Sequence, residues 1–376
     1  MDYLDWRGDL TFEQVPFNEV DNLILAVVAY VDMSQSVFGL GREETATIRE
    51  ISETFWKLHT EEEINAYLSF TLRSSAYLIR KMAQSPRFAD LKLSCYVNRI
   101  DYETEKQFSA VLIELDEKTA YIAYRGTDET ILGWKEDFNM SFMETVPSQL
   151  DAVEYLECVM EQKPYERIIV GGHSKGGNLA VYASVKCKEW IQKRIIAVYN
   201  NDGPGFGSSM LEDIRYQEML PLIHTIVPDS SVIGMLLEHE EKYAVVKSKQ
   251  VGLMQHDATS WEIQGNQFVY LEDTTKRSQM VNKTLKLWLN SLSLEERSTF
   301  IDTLYEILVA TEAKTIDDFT KDRMKKITLA IKSLKSQDSK TKMMLLKTIG
   351  ILMKEGNEVF LQSLKKEKET IQEEEK

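Results

Sequence analysis

The sequence has few cysteines, no long apolar run and no excess of positive charge, and each shortage excludes a class of protein. Its three cysteines (Cys95, Cys158 and Cys187) are widely spaced and odd in number, so they predict neither a disulfide framework nor a metal site. We therefore expect a reduced, cytoplasmic setting. The longest apolar run, 23–31, is far shorter than the ~20 residues of a membrane-spanning helix. The acidic start, 1–5, lacks the basic and then apolar order of a signal peptide.

Acidic residues outnumber basic ones. The chain of 376 residues carries 45 Lys and Arg against 60 Asp and Glu, a formal net charge of −15. This balance argues against nucleic acid as the main partner. The charge is uneven, because residues 321–366 hold 12 basic and 4 acidic side chains, a net of +8 that leaves −23 for the remainder. The content of 43% apolar and 28% charged residues is typical of globular proteins, and the length suits one large α/β domain with an appendage, or two domains.

A glycine-rich stretch lies at the middle of the chain. An apolar β-branched run, 168–170, ends in glycine, the pattern Gly-x-Ser-x-Gly follows over 172–176, and a helical segment of small residues comes next. Strand, sharp turn and helix are the context of a nucleophile elbow, which would hold the Ser174 hydroxyl clear of the sheet. Glycines at 172 and 176 would let the strand and the helix approach closely. The other interpretation is a glycine-rich turn with a passive serine.

Short apolar segments alternate with helical ones on both sides of this stretch. Segments 108–113 and 119–124 flank a turn and predict an antiparallel hairpin, and later strands are predicted at 195–199, 224–227 and 243–246. The alternation predicts an α/β fold with a mainly parallel sheet and helices on both faces. We expect three parts: an N-terminal helical cover over 1–90, a catalytic core over 91–279 and a C-terminal helical extension over 280–376.

Two backbone amides are candidates for an oxyanion hole. Lys175 follows the serine at a helix N-terminus, where its amide can face a developing oxyanion. Thr127 follows the strand 119–124, the place where an α/β hydrolase has its second donor. The Lys175 side chain adds a cation that would either favour anionic substrates or face solvent. The segment 134–146 is amphipathic and is interpreted either as a lid or as a helix packed on the sheet.

A serine hydroxyl needs an imidazole to take its proton. Three histidines follow Ser174 in the chain. His256 lies in a loop after a predicted strand, where the general base should lie, and is the preferred candidate. His224 begins a strand signal and is interpreted as structural. His239 lies in an acidic stretch, 238–241, which is interpreted as solvated.

The imidazole in turn needs a carboxylate that fixes its tautomer. Asp229 ends the strand 224–227, one strand before His256, and is the preferred acid. Asp202 ends the previous strand and is the alternative. The glycines at 203 and 205 leave open that Asp202 only forms a turn.

These residues resemble the class 3, fungal-type triacylglycerol lipases. The family pattern is an aromatic-Arg-Gly-Ser/Thr strand end followed by Gly-His-Ser-x-Gly-Gly, matched here by 124–127 and 172–177, and 202–207 resembles its Gly-x-Pro-x-x-Gly stretch. The resemblance covers about residues 90–270. It implies an α/β-hydrolase fold with a Ser-His-Asp triad, and it favours Asp229, because the family takes its aspartate after the following strand.

Nearly the whole chain resembles, more closely, a group of lipase-like α/β hydrolases of Gram-positive bacteria. That group opens with a Tyr-Leu-x-Trp-Arg-Gly-Asp segment and an Asn-x-Val-Asp segment, matched here by 3–9 and 18–21. Like the present chain, it carries Lys after the nucleophile.

The sequence therefore predicts a serine hydrolase that cleaves a carboxylic ester, small or lipid, through Ser174, His256 and Asp229, with no metal or organic cofactor. The alternative is a non-catalytic hydrolase scaffold. In that case the basic helices of 321–366 would bind a protein partner or the anionic surface of a membrane. The other interpretation of these helices is ordinary packing with a solvated, lysine-rich face.

Overall fold

A nine-stranded sheet forms the centre of the computed structural model. The structure describes residues 3–37, 39–66, 70–101, 103, 106–128, 130–140, 143–312, 323–354 and 356. The strands in chain order are β1 (Ala46–Thr47), β2 (Lys92–Asp101), β3 (Lys106–Glu114), β4 (Thr119–Tyr124), β5 (Arg167–His173), β6 (Ile195–Asn201), β7 (Ile223–Pro228), β8 (Tyr243–Val246), β9 (Ile263–Gln264), β10 (Gln267–Phe268) and β11 (Tyr270–Leu271). In space the sheet runs β1-β2-β3-β4-β5-β6-β7-β8-β11, and β9 pairs with β10 separately.

The five central strands, β4 to β8, are parallel, and the strands at both edges are antiparallel. The predicted hairpin is confirmed, since β3 and β4 pair antiparallel with Leu112 opposite Ile122. Six of the seven residues of β5 are buried, because helices cover both faces of the parallel strands. The architecture is the predicted α/β-hydrolase fold.

One face of the sheet is covered by helices from the N-terminal part of the chain, residues 3–82. Its helices are α1 (Tyr3–Arg7), α2 (Glu19–Val28), α3 (Ile48–Leu58), α4 (Glu61–Ala66) and α5 (Phe70–Met82). Helix α2 begins at Asn18, whose side chain accepts hydrogen bonds from the amides of Val20 and Asp21. The Asp21 carboxylate is buried and binds the guanidinium of Arg87, with 2.8 Å between Nε and Oδ1. This contact fixes α2 to the segment between α5 and β2.

The helices that follow in the chain cover the opposite face. They are α6 (Ile131–Asn139), α7 (Pro147–Gln162), α8 (Lys175–Lys186), α9 (Glu189–Gln192), α10 (Ser208–Leu211) and α11 (Ile214–Met219). Apolar side chains of α7 and α8 pack with those of β3 to β6 in one buried cluster. The cluster makes a rigid platform for the turn between β5 and α8.

The C-terminal part is helical, as its periodicity predicts. Helices α12 (Lys276–Asn290) and α13 (Leu294–Val309) are followed by a helix over Arg323–Ser336 and another over 339–354. The Ser293 side chain caps α13, and Glu296 returns the hydrogen bond. Residues 321–322, 355 and 357–366 of the basic segment lie outside the described ranges. Among the helices that are described, none is both long and apolar enough to cross a membrane.

Candidate active site

The turn between β5 and α8 has the geometry of a nucleophile elbow. Ser174 joins the two elements with φ +59° and ψ −134°, a conformation that L-residues rarely adopt. A Cβ on Gly172 would collide with the backbone of Gly176, and one on Gly176 would collide with Tyr124. Both glycines therefore permit the close approach of strand and helix that the sequence predicts. The strained turn presents the serine side chain at the carboxyl edge of the sheet.

Three side chains meet at this turn. Ser174 Oγ lies 2.9 Å from His256 Nε2, and His256 Nδ1 lies 2.6 Å from Asp202 Oδ2. A carboxylate only accepts hydrogen bonds, so the proton of the neutral ring is on Nδ1 and Nε2 accepts from the serine hydroxyl. Asp202 is fully buried, whereas the His256 side chain keeps 28% of its surface exposed. This is the arrangement that lets an imidazole take a proton from a serine.

The carboxylate beside His256 is Asp202, and the preference for Asp229 is corrected. Asp202 follows β6, the direct neighbour of β5, whereas Asp229 follows β7, one strand farther from the serine. The Asp202 Oδ1 atom accepts hydrogen bonds from the Ser231 hydroxyl and the Gly234 amide. These donors fix the carboxylate in place and aim its second oxygen at the ring.

Asp229 serves the backbone of the neighbouring loops. Its amide donates to the carbonyl of Val246, and its carbonyl accepts from the amide of Thr275 at 2.6 Å. The adjacent Ser230 amide donates to the Gln255 side chain, next to His256, at 2.7 Å. The loop after β7 thus supports the loop that carries the imidazole, and it does so without the Asp229 carboxylate.

A second histidine, His173, contacts the backbone carbonyl of His256. The His256 carbonyl is 2.8 Å from His173 Nε2, and the two rings lie 4.6 Å apart. A carbonyl only accepts, so His173 Nε2 carries the proton and its Nδ1 accepts from the Tyr30 hydroxyl at 3.2 Å. Burial, together with the nearby His256, holds the pKa of His173 well below its usual value. His173 is therefore a neutral donor of fixed tautomer.

The first oxyanion candidate, Thr127, is held by α6. Its hydroxyl donates to Asp137, 2.6 Å from each carboxylate oxygen. Burial raises the pKa of Asp137 to about 6, and the charge of Lys175 opposes that rise. The Thr127 hydroxyl proton is therefore engaged by the Asp137 carboxylate, which leaves the backbone amide as the donor that Thr127 could offer to an oxyanion.

The second candidate, Lys175, has its amide in the first turn of α8, where helix amides have no intrahelical acceptor. Its side chain is buried, which corrects the sequence-based alternative that it faces solvent. The ammonium is buried and donates to Glu136 at 2.7 Å and to the carbonyl of Gln107 at 2.9 Å. Glu136 is fully buried too, and it accepts from the amides of Gln107 and Ser148. All the charge is compensated within the protein.

Helix α6 is therefore fixed to the elbow. Glu136 binds Lys175, Asp137 binds Thr127, and Lys135 forms an ion pair of 2.9 Å with Asp302 on α13. These contacts favour the packed helix over the lid for the described part of 134–146, which excludes 141–142. The sequence signal for this packing is the pair of adjacent acids, Glu136 and Asp137, because a buried lysine beside the elbow needs an acidic partner.

The remaining histidines lie away from the serine. His224 stacks on Tyr199, with 5.0 Å between ring centroids, which agrees with a structural role. His239 was expected in solvent, and that expectation is wrong. Its side chain is buried between the Glu241 carboxylate at 2.9 Å and the carbonyl of Gly234 at 2.8 Å. Within the described ranges, no group of His, Cys, Asp and Glu side chains could hold a metal ion.

Several solved structures are similar to the chain at low identity. A triacylglycerol lipase with a serine protease triad at its catalytic centre is 15% identical over 63% of this chain and 82% of its own, with a TM-score of 0.38. The propeptide complex of Rhizomucor miehei lipase is 17% identical over 64% and 78%, with a TM-score of 0.35. Lipase II from Rhizopus niveus is 20% identical over 40% and 66%, with a TM-score of 0.32.

No protein with curated annotation matches the sequence. The profile of a family described as Mbeg1-like matches residues 82–306, which is more than half of the chain and includes Ser174, Asp202 and His256. The chain belongs to the Mbeg1-like family.

Proposed function

We propose that this protein is a serine hydrolase that cleaves a carboxylic ester through an acyl-enzyme. The observation that carries the proposal is the unbroken contact from Ser174 Oγ through His256 to Asp202, at 2.9 Å and 2.6 Å. We assign Ser174 as the nucleophile, His256 as the general base and Asp202 as the acid that orients it.

In the acylation step, Ser174 Oγ attacks the ester carbonyl carbon while its proton passes to His256 Nε2. The buried carboxylate of Asp202 stabilises the imidazolium that forms. The proton then moves from Nε2 to the leaving alkoxide, and the bond between acyl carbon and alcohol oxygen breaks. Water attacks the acyl-enzyme by the same proton route, which releases the carboxylic acid and restores the serine.

The amides of Thr127 and Lys175 stabilise the tetrahedral oxyanion in this proposal. Such donors act strongly when they are fixed before the reaction begins, so that none has to reorient. Here Asp137 and Glu136, adjacent on α6, hold the side chains of the two donor residues. This pairing supports a preorganised hole.

The surface of α6 supports a substrate with an apolar acyl group. Trp134 and Phe138 lie one turn apart on this helix and are both partly exposed, with 6.2 Å between ring centroids. Phe138 follows Asp137, which contacts Thr127. An apolar chain on the ester would find exposed aromatic surface on the helix that supports the oxyanion hole.

A fluorophosphonate probe tests the proposal, because it labels only an activated serine. We expect the wild type to be labelled and Ser174→Ala, equally folded by circular dichroism, to remain unlabelled. A panel of p-nitrophenyl esters of increasing chain length would then identify the preferred acyl group. Folded wild type that reacts with neither probe nor esters would contradict the proposal and favour the non-catalytic scaffold.

A further inference from the structure

The last described helix, 339–354, packs against the C-terminal helices by one side only. Leu345 and Thr348 on that side are buried. The indole nitrogen of Trp288, on α12, donates to the carbonyl of Thr348 at 2.9 Å. These contacts fix the rotation of the helix about its axis, so the opposite side faces outward.

The outward side is apolar. Met343, Leu346 and Met353 are exposed by 68%, 72% and 72%, and their spacing of three and seven residues places them in one stripe. A surface helix usually has polar residues there. The sequence-based expectation of ordinary packing thus holds for Leu345 but not for these three residues.

The helix before it, Arg323–Ser336, repeats the pattern. Met324, Ile331 and Leu334 recur at seven and three residues, with exposures of 76%, 48% and 40%. We call the exposed apolar residues of both helices the C-terminal stripe, which comprises Met324, Ile331, Leu334, Met343, Leu346, Ile349 and Met353. On each helix, large apolar side chains exposed along one stripe mark a face that meets an apolar environment.

Lysines flank the stripe. Lys340, Lys347 and Lys354 follow one another at seven-residue spacing, along an edge next to Met343, and the Lys347 ammonium pairs with Glu296 of α13. Lys332 and Lys335 lie on the preceding helix and are exposed. Lysine stems can lie along apolar surface while their ammonium groups reach outward to anions.

We propose that the C-terminal stripe and its flanking lysines dock onto the anionic surface of a lipid bilayer. Apolar side chains flanked by lysines on a helix match the boundary between acyl chains and anionic headgroups. Two copies of this face would bring lysine rows of the same sign together, so a second copy is a poorer occupant. The acidic remainder of the chain acts only weakly at this face, because salt at 0.1 M screens charges beyond about 10 Å.

Sedimentation of the full chain with vesicles tests the proposal. We expect binding to vesicles of phosphatidylcholine mixed with phosphatidylglycerol, weaker binding to phosphatidylcholine alone, and a fall with added salt. The variant Met343→Ser/Leu346→Ser/Met353→Ser should bind the anionic vesicles at least about tenfold more weakly, since it removes the inserted side chains. The variant Lys332→Gln/Lys335→Gln/Lys340→Gln should lose the preference for phosphatidylglycerol.

Matched controls come from other exposed residues. Leu150→Ser and Ile214→Ser remove apolar side chains from α7 and α11 that are 60% and 67% exposed, and both should leave vesicle binding unchanged. Ser174→Ala should also bind normally, so failure of the catalytic proposal and failure of this one are distinguishable. Unchanged binding by the triple Met/Leu variant would overturn the proposal. If the wild type is a dimer by light scattering, does not bind vesicles, and becomes monomeric in this variant, the proposal is overturned in favour of a second copy.

Discussion

The replacement of Asp202 by Asn tests which of the two candidate carboxylates, that of Asp202 or that of Asp229, orients His256. The substitution keeps the shape of the side chain and exchanges one oxygen for an NH2 group. If that group faces His256, then Nδ1 has to accept, and the ring proton moves to Nε2. Nε2 then has no lone pair with which to take the proton of Ser174.

The expected loss follows from this change of tautomer. In chymotrypsin-type proteases, the same replacement of the triad aspartate lowers kcat by about 10⁴ through the wrong tautomer. Asp202 is buried, and its Oδ2 lies 2.6 Å from the ring, so we expect a loss of about 10³–10⁴-fold in kcat with little change in KM. Asp229→Asn should remain within about twofold of the wild type, because its carboxylate does not contact His256.

The assay is hydrolysis of a soluble p-nitrophenyl ester, together with the rate of labelling by a fluorophosphonate. Labelling needs only the first chemical step, so it should fall in parallel with kcat. The free energy of unfolding by urea is measured for both variants, because the Ser231 and Gly234 donors to Asp202 lose a charged acceptor. Full activity of Asp202→Asn, or its loss in Asp229→Asn, would refute the assignment.

Three further predictions concern the supports of the site. His173→Phe should lower kcat about tenfold at constant KM, because the His256 carbonyl loses its hydrogen-bond donor. His173→Gln can still donate and should recover most of the activity. Equal kcat values in the two variants would contradict this prediction. Lys175→Met leaves the Glu136 charge buried without its cation and should cost about 3–5 kcal/mol in the free energy of unfolding. Lys175→Met/Glu136→Gln removes that charge and keeps an acceptor for one of the amides of Gln107 and Ser148, so it should recover part of the loss; a double variant no more stable than Lys175→Met would argue against the pair. Burial raises the pKa of Asp137 from 3.8 to about 6, so the folded state binds more protons between these values and stability falls as pH rises through them. Asp137→Asn should remove this fall, which is worth up to about 3 kcal/mol in the free energy of unfolding. The measurement is urea unfolding of both proteins from pH 4 to 7, and a constant difference in stability between wild type and variant over that range would refute the prediction.

The elbow could be predicted because its physics is local. A β-branched run, a pair of glycines and a small-residue helix occupy thirteen consecutive positions, 168–180, and each fits the same turn. The hairpin of β3 and β4 could be predicted for the same reason, since its strands are joined by a short turn around Asp116. Strand pairing then carries Thr127 to the neighbourhood of Ser174, because β4 and β5 are adjacent in the sheet.

The choice of acid could not be made on local grounds. Both Asp202 and Asp229 end a parallel strand, and a preference for the strand nearest to His256 in sequence selects Asp229. In space, however, the loop of His256 reaches back over β7 to the end of β6. It is held there by His173, which lies next to Ser174. That contact spans 83 residues of sequence, and no periodicity or spacing encodes it.

The buried cation shows a different limit of sequence reasoning. From the sequence, Lys175 is expected to face the solvent or the substrate, because lysine is almost never buried unless it is paired. Its partner, Glu136, lies 39 residues earlier on α6, in a segment whose amphipathic pattern hides which side faces inward. Only the packed structure shows that an inward-facing acid and an elbow lysine cancel each other.

The supports of the site come from parts of the chain that are distant in sequence, and this has a consequence for its stability. Tyr30 from the N-terminal cover orients His173, Glu136 on α6 anchors Lys175, and α6 in turn is paired with Asp302 on α13. Loosening of either flanking region would therefore shift a donor or the imidazole before it exposed the sheet. Because an elbow of this kind stores backbone strain at Ser174, its geometry persists only while such contacts surround it. Activity should consequently be lost at a lower urea concentration than the ellipticity of the central sheet.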